Sequence, residues 1–135
     1  MPTIDTNIII RHLTADHPDH SPRARRLFQD LAIGQRVSAL REAVLVESVQ
    51  ELSSKVLYNL PRATIAHDLA ELIRMPGVRL RTKALYLRAL GLYVQQPALS
   101  FVDCLLAVAA EREDGQVLSF DQEFDRLRSI TRVEP

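Results

Sequence analysis

The chain has 135 residues, 17 basic against 17 acidic, with 47% apolar and 25% charged side chains, a composition that excludes a disordered chain and a globally basic nucleic-acid binder. No apolar run approaches the roughly 20 residues that cross a bilayer, and the opening Met-Pro-Thr-Ile-Asp lacks the basic start of a signal peptide. The single cysteine, Cys104, excludes an internal disulfide and a cysteine zinc site, so one cytoplasmic domain over residues 1–135 is expected.

Short β-type runs alternate with helical stretches, without linker or repeat. Thr3-Ile4 reads as a strand leading into Asp5, and Ile8 to Ile10 with Leu13 open a first helix. Residues 21–33 form a second helix closed by Gly34, and residues 36–38 a short strand. A long helix follows over residues 41–57, with Leu45, Val49, Leu52 and Val56 on one face. Pro61 starts a helix that stops at Met75-Pro76-Gly77. Then come a strand at 78–80, a helix over 82–94, an apolar helix from Ser100 to near Gly115 and a strand at 116–118. A short helix over 122–127 and a strand at 130–133 end the chain. Strands separated by helices predict an α/β fold, a three-layer α/β/α sandwich around a mostly parallel sheet of four to five strands. Ligands of such folds gather beyond the carboxyl ends of the strands.

Charge is unevenly spread. Residues 71–90 hold Arg74, Arg79, Arg81, Lys83 and Arg88 against Glu71 alone, whereas residues 103–125 hold seven acids against Arg112. Solvated helix faces explain both runs; an acidic site beside a basic track for a phosphate backbone explains them too. Fifteen of the 17 bases are arginine, which suits bidentate phosphate contacts.

Acids that follow strands or open helices are the candidates for chemistry: Asp5, Glu47, Asp103 and Asp121. Brought together, they would repel by roughly 1–4 kcal/mol per close pair and would need raised pKa values or a bound cation. Carboxylates without cysteine or clustered histidine suit Mg²⁺ or Mn²⁺. Each also has a purely structural use. Asp103 fits a capping box with Ser100, Asp121 fits an N-cap, and Thr6 and Asn7 fit caps of the first helix. Periodicity alone does not choose between Glu42 and Glu47.

Four segments together resemble the PIN-domain ribonucleases, in that family's order: Ile4-Asp5-Thr6-Asn7, Val44-Leu45-Val46-Glu47, Leu99 to Ala107 around Asp103, and Leu118-Ser119-Phe120-Asp121 with Asp125 following. The size is similar to the small toxins of bacterial VapC-type toxin–antitoxin systems. The resemblance implies a metal-dependent endoribonuclease with Asp5, Glu47, Asp103 and Asp121 as the acidic metal site. It implies Thr6, Asn7 and Ser119 as supporting polar groups and Asp125 as an additional acid. It further implies Mg²⁺ or Mn²⁺, an RNA substrate, a homodimer and a cognate antitoxin, with no membrane. Cys104 departs from the family's usual alanine without disturbing the packing.

A zinc site from His12, His17 and His20 has no standard spacing. Cys104 reads as a buried structural thiol, and Tyr86 and Tyr93 as packing residues rather than base-stacking ones. A haloacid-dehalogenase-like phosphatase would need an acid where Asn7 stands. A receiver domain would need its phospho-accepting aspartate after a central strand. The main alternative is a PIN fold used as a non-catalytic binding or assembly module.

Overall fold

Three extended segments run parallel near one another in the first part of the chain. In the computed structural model, which describes residues 1–135, the chain divides into two units, Met1–Lys83 and Ala84–Pro135. In the first unit, β1 (Ser38–Ala39) pairs in parallel with β2 (Val78–Arg79). Thr3 bridges Ala39 on the other side of β1, also in parallel. The hydrogen bonds fix that order: Ala39 N–H donates to the Pro2 carbonyl and Ile4 N–H to Ala39, while Leu40 N–H donates to Arg79. Asp5, Arg41 and Arg79 therefore leave the same, carboxyl edge of the three segments.

Four helices accompany these segments: α1 (Thr6–Thr14), α2 (His20–Ala32), α3 (Glu42–Ser53) and α4 (Arg62–Arg74). They bury Ile9, Phe28, Leu31, Leu45, Leu52, Ile65, Leu69 and Ile73 almost completely. Burial of each such side chain contributes about 1.5–3 kcal/mol. Gly77 is indispensable to the packing. A Cβ there would lie 2.2 Å from the Arg36 carbonyl oxygen and 2.8 Å from Leu31 backbone atoms, and its N–H donates to the Leu31 carbonyl at 2.8 Å.

The second unit contains most of α5 (Lys83–Gln95), then α6 (Phe101–Glu111), β3 (Gln116–Leu118), a 3₁₀ turn (Gln122–Arg126) and β4 (Thr131–Val133). β3 and β4 pair in parallel, Gln116 opposite Thr131 and Leu118 opposite Val133. Tyr93 packs edge-on against Phe101 with ring centroids 5.9 Å apart, as expected of a core tyrosine, and Cys104 is buried.

The α/β class and the parallel pairing agree with the sequence, and α1, α2, α4 and α5 lie where periodicity puts them, whereas α6 ends at Glu111 rather than near Gly115. The strands are shorter than expected, two or three residues each, in two small parallel sheets. The long helix over 41–57 is shorter too. It stops at Ser53, and Ser54–Leu60 turns back, with Asn59 at φ 47° and its N–H donating to Ser54. Two serines, poor helix formers, followed by a residue tolerant of the left-handed region explain the stop. Val56, expected on the apolar face, is consequently 89% exposed. The segment 122–127 is a 3₁₀ turn rather than an α-helix. No helix is long and apolar enough to cross a membrane.

Candidate functional site

Asp5 occupies the N-cap of α1 with extended backbone (φ −91°, ψ 157°), yet its carboxylate makes no capping hydrogen bond. An aspartate there ordinarily accepts from the first-turn N–H groups. Asp5 instead presents an exposed carboxylate, with no side-chain partner, at the carboxyl edge of the parallel segments. Beside it, Thr6 is 3% exposed and its Oγ1 has no hydrogen-bond partner. A buried hydroxyl without a partner costs about 1–3 kcal/mol, so the start of α1 holds a polar atom that a bound water or ligand would satisfy. Asn7 is exposed and lines a cavity of about 540 Å³ with Arg11, His20, Arg23 and Arg36.

Glu47 lies in the middle of α3, exposed, and its side chain makes no hydrogen bond or ion pair. Glu42, in the first turn of the same helix, is engaged in an interaction. Of the two glutamates, only Glu47 is uncommitted.

The acids of the second unit are placed differently. Asp103 closes a capping box: Ser100 N–H donates to Asp103 Oδ2 at 3.0 Å and Asp103 N–H donates to Ser100 Oγ at 3.1 Å. Asp121 follows β3 and caps the 3₁₀ turn, accepting from Glu123 N–H at 2.9 Å, while its own N–H donates to Ser119 Oγ at 2.9 Å. Each retains one carboxylate oxygen outside these bonds. Asp125 is bound by the Arg132 guanidinium through Nε at 3.0 Å and Nη2 at 3.2 Å, and Arg132 also reaches the Ser119 carbonyl. A carboxylate oxygen is a hard donor, the kind that Mg²⁺ or Mn²⁺ prefers.

Sequence reasoning overlooked one cluster. His67, Asp68 and Glu71 of α4 offer ligand atoms all within 4.8 Å of one another. The signal was available as His-Asp-x-x-Glu, which puts positions i, i+1 and i+4 on adjoining faces of a helix. It contains none of the four acids above. His67 and Glu71 already pair at 3.5 Å on an exposed face, and burial pushes the Asp68 carboxyl up, with Glu71 adding to the shift. A mixed imidazole and carboxylate set suits a softer metal than the carboxylate set does.

The histidines near the chain's start have structural work. His17 Nδ1 accepts from the N–H groups of Asp19 and His20 at 3.2 and 2.9 Å, and its ring stacks on His20 at 3.9 Å. His12 packs on Phe28 with centroids 4.5 Å apart. Asp16 is held down to about 2 by hydrogen bonds from Thr14 and Tyr58.

The family model described as PIN domain matches residues 3–130, and no characterised protein matches the chain individually. With nearly its whole length matched, the chain belongs to the PIN-domain family, whose members are generally nucleases.

Proposed function

We propose that this PIN-domain protein is a divalent-metal-dependent endoribonuclease and the toxin of a toxin–antitoxin pair. The observation that carries the reading is Asp5: a carboxylate in a capping position that does not cap, next to an unsatisfied buried Thr6 hydroxyl, where parallel segments end. Asp5, Glu47, Asp103 and Asp121 would hold the cation, and the oxygen-only donor set favours Mg²⁺ or Mn²⁺. When bound, the cation lowers the pKa of a coordinated water and offsets charge on the departing oxygen. The chain's own groups do the positioning. Asp5 contributes its whole carboxylate, because no backbone N–H competes for it. Asp103 and Asp121 each spend one oxygen on a cap, which fixes the direction of the other. Ser119 Oγ accepts from Asp121 N–H and so orients that residue, the partnerless Thr6 hydroxyl would orient a bound water, and Asn7 faces the cavity beside α1.

This reading carries its architecture and partners with it: one domain over residues 1–135, a central sheet of four to five strands between helical layers, a homodimer, a cognate antitoxin and a cytoplasmic location. The rival, a non-catalytic binding module, draws on a specific observation. Asp103 and Asp121 are useful as caps, so their presence alone does not require a metal. Asp5 and Glu47 have no such use.

The test is cleavage of a mixed cellular RNA pool with Mn²⁺, Mg²⁺ or EDTA, beside Asp5→Asn. Metal-dependent cleavage that disappears in the folded variant is expected. Full activity in that variant would sink the assignment. Absence both of cleavage and of a metal-dependent rise in Tm would favour the binding module.

A further inference from the structure

The basic stretch 74–88 separates into different tasks. Arg88 is spent within the second unit, its guanidinium clamping Glu111 through two 2.9 Å hydrogen bonds. Arg79, Arg81 and Lys83 instead line, with Arg41, a pocket of about 440 Å³ in the first unit. Leu40 and Leu80 give it an apolar wall, and no acid lines it. The side chains of Arg41, Arg79 and Arg81 make no hydrogen bond or ion pair, and all three are exposed. Lys83 is fixed by donating from Nζ to the Met75 carbonyl at 3.0 Å. Burial, and secondarily the nearby Arg79 charge, push its ammonium pKa down. Thr82 sits at φ 61°, a strained conformation for a β-branched residue, which turns the chain sharply between Arg81 and Lys83. Four cations are thus gathered around one cavity with no anion among its lining residues. Like charges converge in this way where a ligand supplies the opposite charge.

The geometry points to a phosphate site: we propose that Arg41, Arg79, Arg81 and Lys83 bind backbone phosphates of single-stranded RNA beside the phosphate that is cut. The inference rests on the nuclease reading and adds where the substrate lies. The order of the parallel segments supplies the argument. Asp5 ends the N-terminal segment, Arg41 follows β1, and Arg79 ends β2, all on one edge. Neighbouring strands lie about 4.8 Å apart, so the outer two segments are roughly 10 Å apart. A nucleic-acid strand laid along that edge would meet Asp5 and the arginines at phosphates a short step apart. Guanidinium forks match phosphate oxygens bidentately, and the apolar wall leaves room for a sugar.

Binding is read with the Asp5→Asn chain in EDTA, so that affinity is measured without cutting. The probe is a fluorescent single-stranded RNA oligonucleotide, followed by anisotropy across a range of NaCl concentrations. Adding Arg79→Gln and Arg81→Gln together should weaken binding at least tenfold. It should also lower the slope of log affinity against log salt by about 1.4, roughly 0.7 for each lost phosphate contact. Arg112→Gln with Arg128→Gln removes the same charge from exposed positions outside the pocket and should leave affinity within twofold. Equal losses from the two pairs would overturn the site, because only net charge would then matter. So would unaltered RNA binding in the Arg79/Arg81 variant, above all if that variant lost binding to poly-glutamate, which would assign the pocket to an acidic protein segment. The unsubstituted protein, assayed for cleavage with Mn²⁺, keeps the two readings apart: cutting that persists while the Arg79/Arg81 pair proves irrelevant to binding removes this site alone.

Discussion

The two units of the chain use the same residue types in opposite ways. The first secures its parallel segments through backbone: hydrogen bonds across Ala39, and the close approach of Gly77 to Leu31 and Arg36. Its acids Asp5 and Glu47 and its arginines 41, 79 and 81 are left without partners. The second unit adds charged side chains to the backbone pairing of β3 with β4. Asp103 and Asp121 cap, Glu111 is held by Arg88 and Ser129, and Asp125 is held by Arg132. An aspartate at the end of an element therefore carries a different meaning in each unit. Where backbone packing supplies the order, side chains are free to bind; where side chains supply it, any binding role is shared with stability.

The sharpest way to break this comparison is through glycine. Gly77→Ala forces a Cβ to within 2.2 Å of a carbonyl oxygen that belongs to backbone and cannot swing away. It should cost more than about 3 kcal/mol in urea unfolding, or prevent folding outright. Gly115→Ala in the second unit meets nothing closer than 3.9 Å and suffers only from its φ of 76°. About 1 kcal/mol is expected there. Similar costs at the two positions would mean that the first unit does not depend on that close backbone approach.

The carboxylates provide the next contrast. Asp103→Ala removes half of a capping box and should cost about 1 kcal/mol, with Ser100→Ala costing a similar amount. Asp5→Ala removes a carboxylate with no partner and should change stability by less than about 0.5 kcal/mol while abolishing cleavage. Thermal melts of the three variants decide the matter. A large loss at Asp5 would show that its carboxylate has a structural task after all. Asp125→Asn should be milder still. It weakens a pair whose carboxylate is exposed and whose guanidinium keeps Glu134 as a second partner, so a loss of about 0.2–1 kcal/mol is expected, with cleavage within a fewfold of the parent.

Much of this was legible in the sequence, and the remainder failed for identifiable reasons. The alternation of apolar runs located the helices, and the Ser100-x-x-Asp103 spacing announced its capping box. Sequence could not reveal that Asp5 declines to cap, because capping preference depends on residue type whereas the outcome depends on side-chain direction. Nor could periodicity decide between Glu42 and Glu47, which occupy one helix and differ in whether a neighbour engages them. The end of α3 was misplaced because Val56 continues the apolar spacing, while the turn at Asn59 is set by backbone conformation. The basic stretch was visible as charge, but only the turn at Thr82 distinguishes the arginines that share a cavity from Arg88, which is consumed by an ion pair.

The smallest effect concerns pH, and it separates the units because all four histidines, at positions 12, 17, 20 and 67, lie in the first. The His12 imidazole is pushed below its usual value of 6.5, first by burial and then by Arg25, with Asp68 and Glu71 opposing the shift. Its Nδ1 is buried without a hydrogen-bond partner. A histidine that binds its proton more weakly when folded favours the folded state fully above pH 6.5. That contribution declines as pH falls from 6.5 towards the lowered folded value, because the unfolded chain gains the proton first. Tm should therefore drop between pH 7.5 and 5.5, and His12→Gln should flatten that slope while lowering Tm at pH 7.5 only slightly. Hydrogen exchange, corrected for the intrinsic effect of pH, should record the loss of protection in α1 and α2 and leave α6 unchanged. A loss that began in α6 would place the pH-sensitive element in the unit without histidines, and the division of labour between the two units would have to be redrawn.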